Sequence, residues 1–108
     1  GVEIGVASTK AFTLQALTGY LMSRAMEGTL DNPELFSEVQ LLSHRIGELC
    51  SSADTLKEVA EKVYTKKGFI FTGRGKYFPI ALEGALKLKE IAYVHAEGYA
   101  AGELKHGP

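Results

Sequence analysis

Three charged residues follow one another along a stretch of the sequence with helical periodicity. Glu83, Lys87 and Glu90 are separated by four and then three residues, so at about 100° per residue they fall within one narrow stripe. Apolar side chains flank this stripe, and alanines (Ala81, Ala85, Ala92) occupy the opposite face. A carboxylate held beside an ammonium group in a cavity is suited to accept and return a proton. The spacing therefore predicts a candidate base for proton transfer.

The same spacing also permits a purely structural interpretation. Glu83 and Lys87 stand at i,i+4 and Lys87 and Glu90 at i,i+3, the separations of ordinary surface ion pairs on a helix. The apolar flanks favour a stripe that faces a cavity or a partner. Both interpretations remain open on the residues alone.

Histidine and cysteine offer one further catalytic candidate. His106 precedes a glycine and a proline, so its ring is expected to be accessible as a general acid or base. His44 and His95 are interpreted as structural or solvated side chains. The single cysteine, Cys50, continues the apolar stripe of a predicted helix and is expected in the core. The sequence has no pair of cysteines and no closely spaced histidines, so it predicts no metal site.

Glycines lie between a predicted strand and a predicted helix. Gly73-Arg74-Gly75 could hold a phosphate with its backbone N–H groups. However, Phe78 stands where a dinucleotide fingerprint needs a third glycine, and no P-loop motif is present. A plain tight turn is the favoured interpretation.

Periodicity and end signals predict the elements that must position these groups. Three helices, a short strand and a fourth helix are expected over about residues 9–28, 33–50, 54–66, 69–72 and 78–94, in that order. Asn32 and Pro33 give a strong start signal for the second helix. Strand, turn and helix match the first half of a βαβ unit, which indicates an α/β fold. Because one strand cannot form a sheet, its partners are expected outside this chain or in another copy.

Composition limits the class of protein. The chain has 108 residues, 45% of them hydrophobic, and a formal net charge of -1, which is typical of a soluble globular domain or part of one. The charge balance argues against nucleic-acid and membrane partners. We expect a cytoplasmic protein, and the ends of the chain suggest a piece excised from a longer one.

Several motifs resemble those of the glutamine–fructose-6-phosphate aminotransferase (isomerizing) family. The resemblance covers both ends of the chain, while about residues 28–67 are unspecific. The motifs are Ile4–Phe12 (IGVASTKAF), Gly73–Gly75, Ala81–Glu90 (ALEGALKLKE), His95–Tyr99 and Gly102–Pro108 (GELKHGP).

The resemblance implies a place in a larger enzyme. The family joins a glutaminase domain to two sugar-isomerase (SIS) domains, each a parallel sheet with flanking helices. By resemblance, residues 1–30 are the C-terminal end of the first SIS domain, and residues 52–108 are the N-terminal part of the second. Residues 31–51 form the helix that connects the two domains. The family is dimeric and makes glucosamine 6-phosphate from fructose 6-phosphate and glutamine-derived ammonia, the entry to hexosamines, without metal or organic cofactor.

The resemblance also assigns roles to individual residues. Glu90 matches the family's isomerisation base, and Lys87 matches the lysine beside it in the sugar site. His106 matches the histidine that opens the sugar ring and is contributed across the dimer. Val6 matches a loop position whose backbone meets the sugar. The family's phosphate-binding loop, Schiff-base lysine and glutaminase have no counterpart in this chain, so the isolated piece is expected to be inactive.

Other functions remain open at this stage. A sugar-phosphate-sensing SIS module of a regulator would need binding residues but no base, and Glu90 with His106 argues for an enzyme instead. A related SIS deglycase or isomerase without a glutaminase is a second alternative. A purely structural helical module would leave the charged stripe unexplained.

Overall fold

Helices dominate the chain. The computed structural model describes residues 2 and 4–107, so Pro108 of the last motif lies outside the described residues. Two short 3₁₀ turns follow the two strands, at Gly75–Tyr77 and Leu104–His106. In the described part, the helices are α1 (Lys10–Met26), α2 (Pro33–Ser51), α3 (Ala53–Val63) and α4 (Phe78–Ala92), and the strands are β1 (Gly68–Gly73) and β2 (His95–Ala100).

The described residues divide into two compact units. Residues 10–64 form a helical unit that contains α1, α2 and α3. Residues 65–107 form an α/β unit, which also includes the segment 4–9. No helix in the described part of the chain is long and apolar enough to span a membrane.

The start of α2 follows the prediction made from its sequence. The side chain of Asn32 accepts a hydrogen bond from the backbone N–H of Glu34 at 2.9 Å, and Pro33 occupies the first turn. This cap satisfies one of the N–H groups that a helix start leaves without a partner. Within the same unit, the Tyr20 hydroxyl of α1 donates to Glu38 of α2 at 3.0 Å. This hydrogen bond to a carboxylate raises the pKa of Tyr20.

The apolar stripe of α2 is covered only near its beginning. Leu35 is buried, with 4% of its surface exposed, whereas Leu49 is 63% exposed. Cys50 is also exposed, so the expectation that it belongs to the core is wrong. The physical reason is that the amphipathic pattern continues to the end of α2, while the burial in this unit does not.

A second strand pairs with the predicted one. β1 covers the expected strand, and β2 lies parallel to it, with Phe69 opposite Ala96 and Phe71 opposite Gly98. The expectation that the partners of β1 lie only outside this chain is therefore wrong. β2 was not anticipated because alanine, glutamate and glycine have low strand propensity. Pairing with β1 and packing under α4 override that propensity.

The α/β unit is a parallel βαβ crossover, which confirms the predicted fold class. α4 connects the two strands and packs on both of them. Because strand side chains alternate between faces, Ala96 and Gly98 lie on the face that carries α4, as do Phe69 and Phe71. Ala96 is buried there. Ile70, on the opposite face, is exposed. In this chain, the small sheet is therefore covered on one side.

Candidate functional site

Helix α4 carries the charged stripe. It begins at the predicted residue and ends two residues earlier than predicted. Proline stands in its first turn, and Tyr93 ends it in a left-handed conformation with φ 54°. The backbone N–H of Tyr93 donates to the carbonyl of Lys89 at 3.2 Å. This end leads after one residue into β2. The last turn of α4 therefore lies beside the beginning of β2.

Glu83, Lys87 and Glu90, here named the Lys87 cluster, are joined by two ion pairs. Lys87 Nζ lies 2.6 Å from Glu90 Oε2 and 3.3 Å from Glu83 Oε1. The exposed fractions of the three side chains are 18% for Lys87, 23% for Glu83 and 28% for Glu90. These are partly buried charges, held in place by one another, and they differ in that respect from solvated surface pairs.

The surroundings of the cluster differ in two respects from the expectation. Ala81 and Ala85 are buried, as predicted for the face opposite the stripe, but Ala92 in the last position is exposed. The apolar residues beside the stripe are also exposed, and Ile91 reaches 62%. The charged line is thus better shielded from solvent than the apolar flanks that were expected to enclose it.

The ion pairs fix the charge of Lys87. The hydrogen bond to Glu90 raises the pKa of Lys87 above its ordinary value, an effect that partial burial opposes and Glu83 reinforces. Lys87 is therefore an ammonium ion at neutral pH. Within the described residues, the hydrogen bond to the Glu90 carboxylate is made at Oε2. The other oxygen, Oε1, is then the atom that can accept a proton from a substrate.

Glu83 belongs to this site although the family resemblance assigned it no role. It offers Lys87 a second carboxylate, 0.7 Å farther away than that of Glu90 (3.3 − 2.6). The sequence signal was its position one helical turn before Lys87. That spacing identified the stripe, but it did not show which carboxylate only binds Lys87 and which one could transfer a proton.

His106 lies apart from the Lys87 cluster. It ends the 3₁₀ turn after β2, its side chain is exposed, and its backbone N–H donates to the Glu103 carbonyl at 2.9 Å. Glu90 precedes β2, whereas His106 follows it. A strand of this length rises by about 20 Å. Within the described part of the chain, no hydrogen bond or ion pair joins His106 to the cluster, and β2 lies between the two in the chain.

The remaining predicted binding residue is in the N-terminal segment. Val6 is exposed and lies in residues 4–9, which belong to the α/β unit although α1 follows them directly. The segment is therefore part of the same compact unit as the Lys87 cluster. His44 Nε2 lies 3.4 Å from Glu48 Oε1 on the exposed side of α2, and His95 is exposed at the start of β2.

The Gly73-Arg74-Gly75 turn is tight for steric reasons. A Cβ atom on Gly73 would lie 2.1 Å from the carbonyl oxygen of Tyr77, closer than atoms can approach. Gly75 has a φ of 54°, in the region that favours glycine. These constraints account for both glycines and support the plain-turn interpretation. Among the described residues, no group of three or more histidine, cysteine or acidic residues could hold a metal ion.

Comparison with known proteins gives consistent results. The SIS domain family matches residues 62–108. Over its whole length the chain is 50% identical to a glutamine–fructose-6-phosphate aminotransferase [isomerizing] of Pseudomonas putida and 54% identical to that of Idiomarina loihiensis. It spans only 19% and 18% of those two proteins.

A solved structure supports the fold. The C-terminal domain of glucosamine-fructose-6-phosphate aminotransferase from Francisella tularensis matches all of the chain with a TM-score of 0.84 and 45% identity, and the match covers 32% of that domain's chain. The fold of the chain and its sequence motifs thus point to the same group of proteins. Residues 62–108 match the SIS domain family, and the chain as a whole is similar to a segment of the glutamine–fructose-6-phosphate aminotransferases.

Proposed function

We propose that this chain is part of the isomerase region of an enzyme that makes glucosamine 6-phosphate from fructose 6-phosphate and glutamine-derived ammonia. The observation that carries the proposal is the partly buried Lys87–Glu90 pair, 2.6 Å long, on the crossover helix of an SIS-type unit. The names of the relatives support the choice of glutamine and fructose 6-phosphate as substrates. A sugar-binding regulator would need no such base.

In this proposal Glu90 transfers the proton between neighbouring sugar carbons. Ammonia first condenses with the C2 carbonyl of the ketose, and water leaves as the imine forms. The Oε1 atom of Glu90 then takes a proton from C1 while the imine nitrogen gains one, which gives an enolamine. The same carboxyl group returns a proton to C2 as the C1 hydroxyl loses its own, and the amino aldose results. Lys87 remains charged throughout and holds Oε2, so the carboxylate keeps one orientation. Glu83 anchors the ammonium from the other side while Glu90 is transiently neutral.

His106 is proposed to open the sugar ring in the site of a second copy. In the described part of the chain β2 lies between Glu90 and His106, and no hydrogen bond or ion pair joins them. A general acid must come within hydrogen-bond distance of the ring oxygen. A homodimer of the parent enzyme, with His106 of one copy beside the Lys87 cluster of the other, meets this requirement. Val6 is proposed to contact the sugar through its backbone, as part of the segment 4–9 that joins the α/β unit.

The proposed parent is a cytoplasmic enzyme of hexosamine biosynthesis in which the chain joins two domains. Residues 1–30 would end the first SIS domain, residues 31–51 would connect, and residues 52–108 would begin the second. The isomerisation is general acid–base chemistry on a sugar phosphate, and we propose that it needs neither a metal ion nor an organic cofactor. The isolated chain is proposed to bind fructose 6-phosphate weakly without converting it.

A chimera tests the proposal. The chain replaces the segment that it matches in the Pseudomonas putida relative, and formation of glucosamine 6-phosphate is measured with fructose 6-phosphate and glutamine. Glu90→Gln is expected to lower kcat by about 100-fold or more, while binding of fructose 6-phosphate persists. Glu61→Gln, at an exposed glutamate of α3, is the matched control and should leave kcat unchanged. Wild-type turnover in Glu90→Gln would exclude Glu90 as the base.

A further inference from the structure

The contact between α4 and the sheet is built from very small residues. Ala81 and Ala85 of α4 and Ala96 of β2 are buried in it. Two glycines, Gly84 on α4 and Gly98 on β2, also lie in this contact, where each faces a residue of the opposing element. Side chains of this size allow a helix to approach a sheet closely, so they set the distance between α4 and the strands.

Gly98 lies directly against the backbone of α4 at Leu82. A Cβ atom on Gly98 would lie 2.8 Å from Cδ2, 3.0 Å from Cα and 3.1 Å from N of Leu82. Rotation of the Leu82 side chain could relieve the first contact but not the other two. Gly98 lies within β2 and is not among the described glycines with positive φ. Glycine is therefore needed here for space and not for its backbone conformation.

Two other glycines of the same unit differ from Gly98. A Cβ atom on Gly84 would meet only the ring of Phe71, at 3.0 and 3.1 Å, and a side chain can shift. A Cβ atom on Gly68 of β1 would make ordinary contacts with His95, the nearest at 3.6 Å. At Gly98 alone among these three, the obstacle includes the backbone of α4 itself.

We propose that Gly98 is a positioning residue that sets the depth of α4 on the sheet and thereby the place of Glu90 in the sugar site. Leu82 is adjacent to Glu83 in the sequence, and both lie on one helix with Lys87 and Glu90. A helix moves largely as a rigid body, so a displacement at Leu82 is passed on to the Lys87 cluster. The ion pairs within the cluster are internal to α4 and are retained. What changes is the position of Glu90 relative to sugar-binding groups outside α4.

The size of the displacement follows from the contact distances. Carbon atoms are at their optimum at about 3.5–4.0 Å, so the 3.0 Å contact with Leu82 Cα must lengthen by a few tenths of an ångström to become tolerable and by about 0.5 Å to reach that optimum. Catalytic groups must be held to within about 0.5 Å of their productive geometry, and a displacement of 1 Å costs about 100-fold in rate. Gly98→Ala is therefore expected to lower kcat by about tenfold.

The test uses the chimera described above, because the inference rests on the proposed function. Gly98→Ala should lower kcat by about tenfold, because Glu90 moves away from the sugar carbons that react. KM for fructose 6-phosphate should change less than about twofold, because the contacts that the sugar makes outside α4 are retained. Gly68→Ala is the matched control on the neighbouring strand and should leave both constants unchanged. A parallel loss in Gly68→Ala, or unchanged kcat in Gly98→Ala, would overturn the proposal.

A second variant covers the case in which Gly98→Ala does not fold. Leu82→Ala in combination with Gly98→Ala removes the contact at Cδ2 and leaves those at Cα and N, so kcat should remain low relative to Leu82→Ala alone. Full recovery of kcat would show that only the Leu82 side chain matters and would refute the positioning role. The Glu90→Gln chimera separates the two hypotheses. If it retains turnover, the proposed function fails; if it is inactive while Gly98→Ala is fully active, only this inference fails.

Discussion

Leu35 is the buried leucine at the beginning of α2, and its truncation measures what stabilises the helical unit. Only 4% of its surface is exposed, and it lines an open groove of about 410 Å³ together with Leu21 of α1. Truncation of a buried leucine to alanine costs about 2–5 kcal/mol, depending on the cavity that remains. Because the groove is already open beside Leu35, little new closed cavity forms. We expect Leu35→Ala to lower the free energy of unfolding by about 2–3 kcal/mol.

A matched substitution on the same helix isolates the effect of burial. Leu49 is 63% exposed, so Leu49→Ala should cost less than about 0.5 kcal/mol. Urea unfolding of the 108-residue chain, followed by far-UV circular dichroism, measures both variants. At a denaturant dependence of about 1–2 kcal/mol/M, Leu35→Ala should lower the midpoint by at least about 1 M. Equal midpoints for the two variants would refute the assignment of Leu35 as the anchor of α2.

Three further predictions follow from individual contacts. Asn32→Ala removes the cap of α2 and should cost about 1 kcal/mol in the same urea assay, whereas Asn32→Ser should restore most of it; equal losses would contradict the capping role. Gly73→Ala places a Cβ atom against the Tyr77 carbonyl, so it should abolish the cooperative transition of the α/β unit, and an unchanged midpoint would refute the tight turn. The pKa of Lys87 is raised above its ordinary value of 10.5, so the stability that its ion pairs contribute is present below that pH and is lost as the pH rises through the folded-state value. The difference in unfolding free energy between the wild type and Lys87→Met should accordingly shrink in strongly alkaline solution, and a difference that grows with pH would be inconsistent with the ion pairs.

Local signals were sufficient for much of the fold. Asn32 and Pro33 mark the start of α2 because capping depends on nearest neighbours along the chain. β1 and α4 are similarly evident, one from its β-branched and aromatic residues and the other from its helical period. The Lys87 cluster could be predicted for the same reason, because all three of its side chains lie within two turns of one helix.

Features that depend on distant contacts could not be predicted. β2 forms because Ala96 and Gly98 fit between β1 and α4, and their small size is a weak strand signal by itself. The exposure of Cys50 depends on what packs against α2, which its own periodicity does not reveal. The distance between His106 and Glu90 follows from the position of β2 between them, so it became visible only with the strand.

The central claim is that Glu90 removes a proton from C1 of the sugar, and the fate of a label at that carbon tests it most directly. The chimera is supplied with glutamine and with fructose 6-phosphate that carries two deuterium atoms at C1, and loss of the label from that carbon is followed by NMR. With Glu90 present, each turnover should remove one deuterium from C1. With Glu90→Gln, the sugar should bind but keep both deuterium atoms. Loss of the C1 label at the wild-type rate in Glu90→Gln would contradict the account.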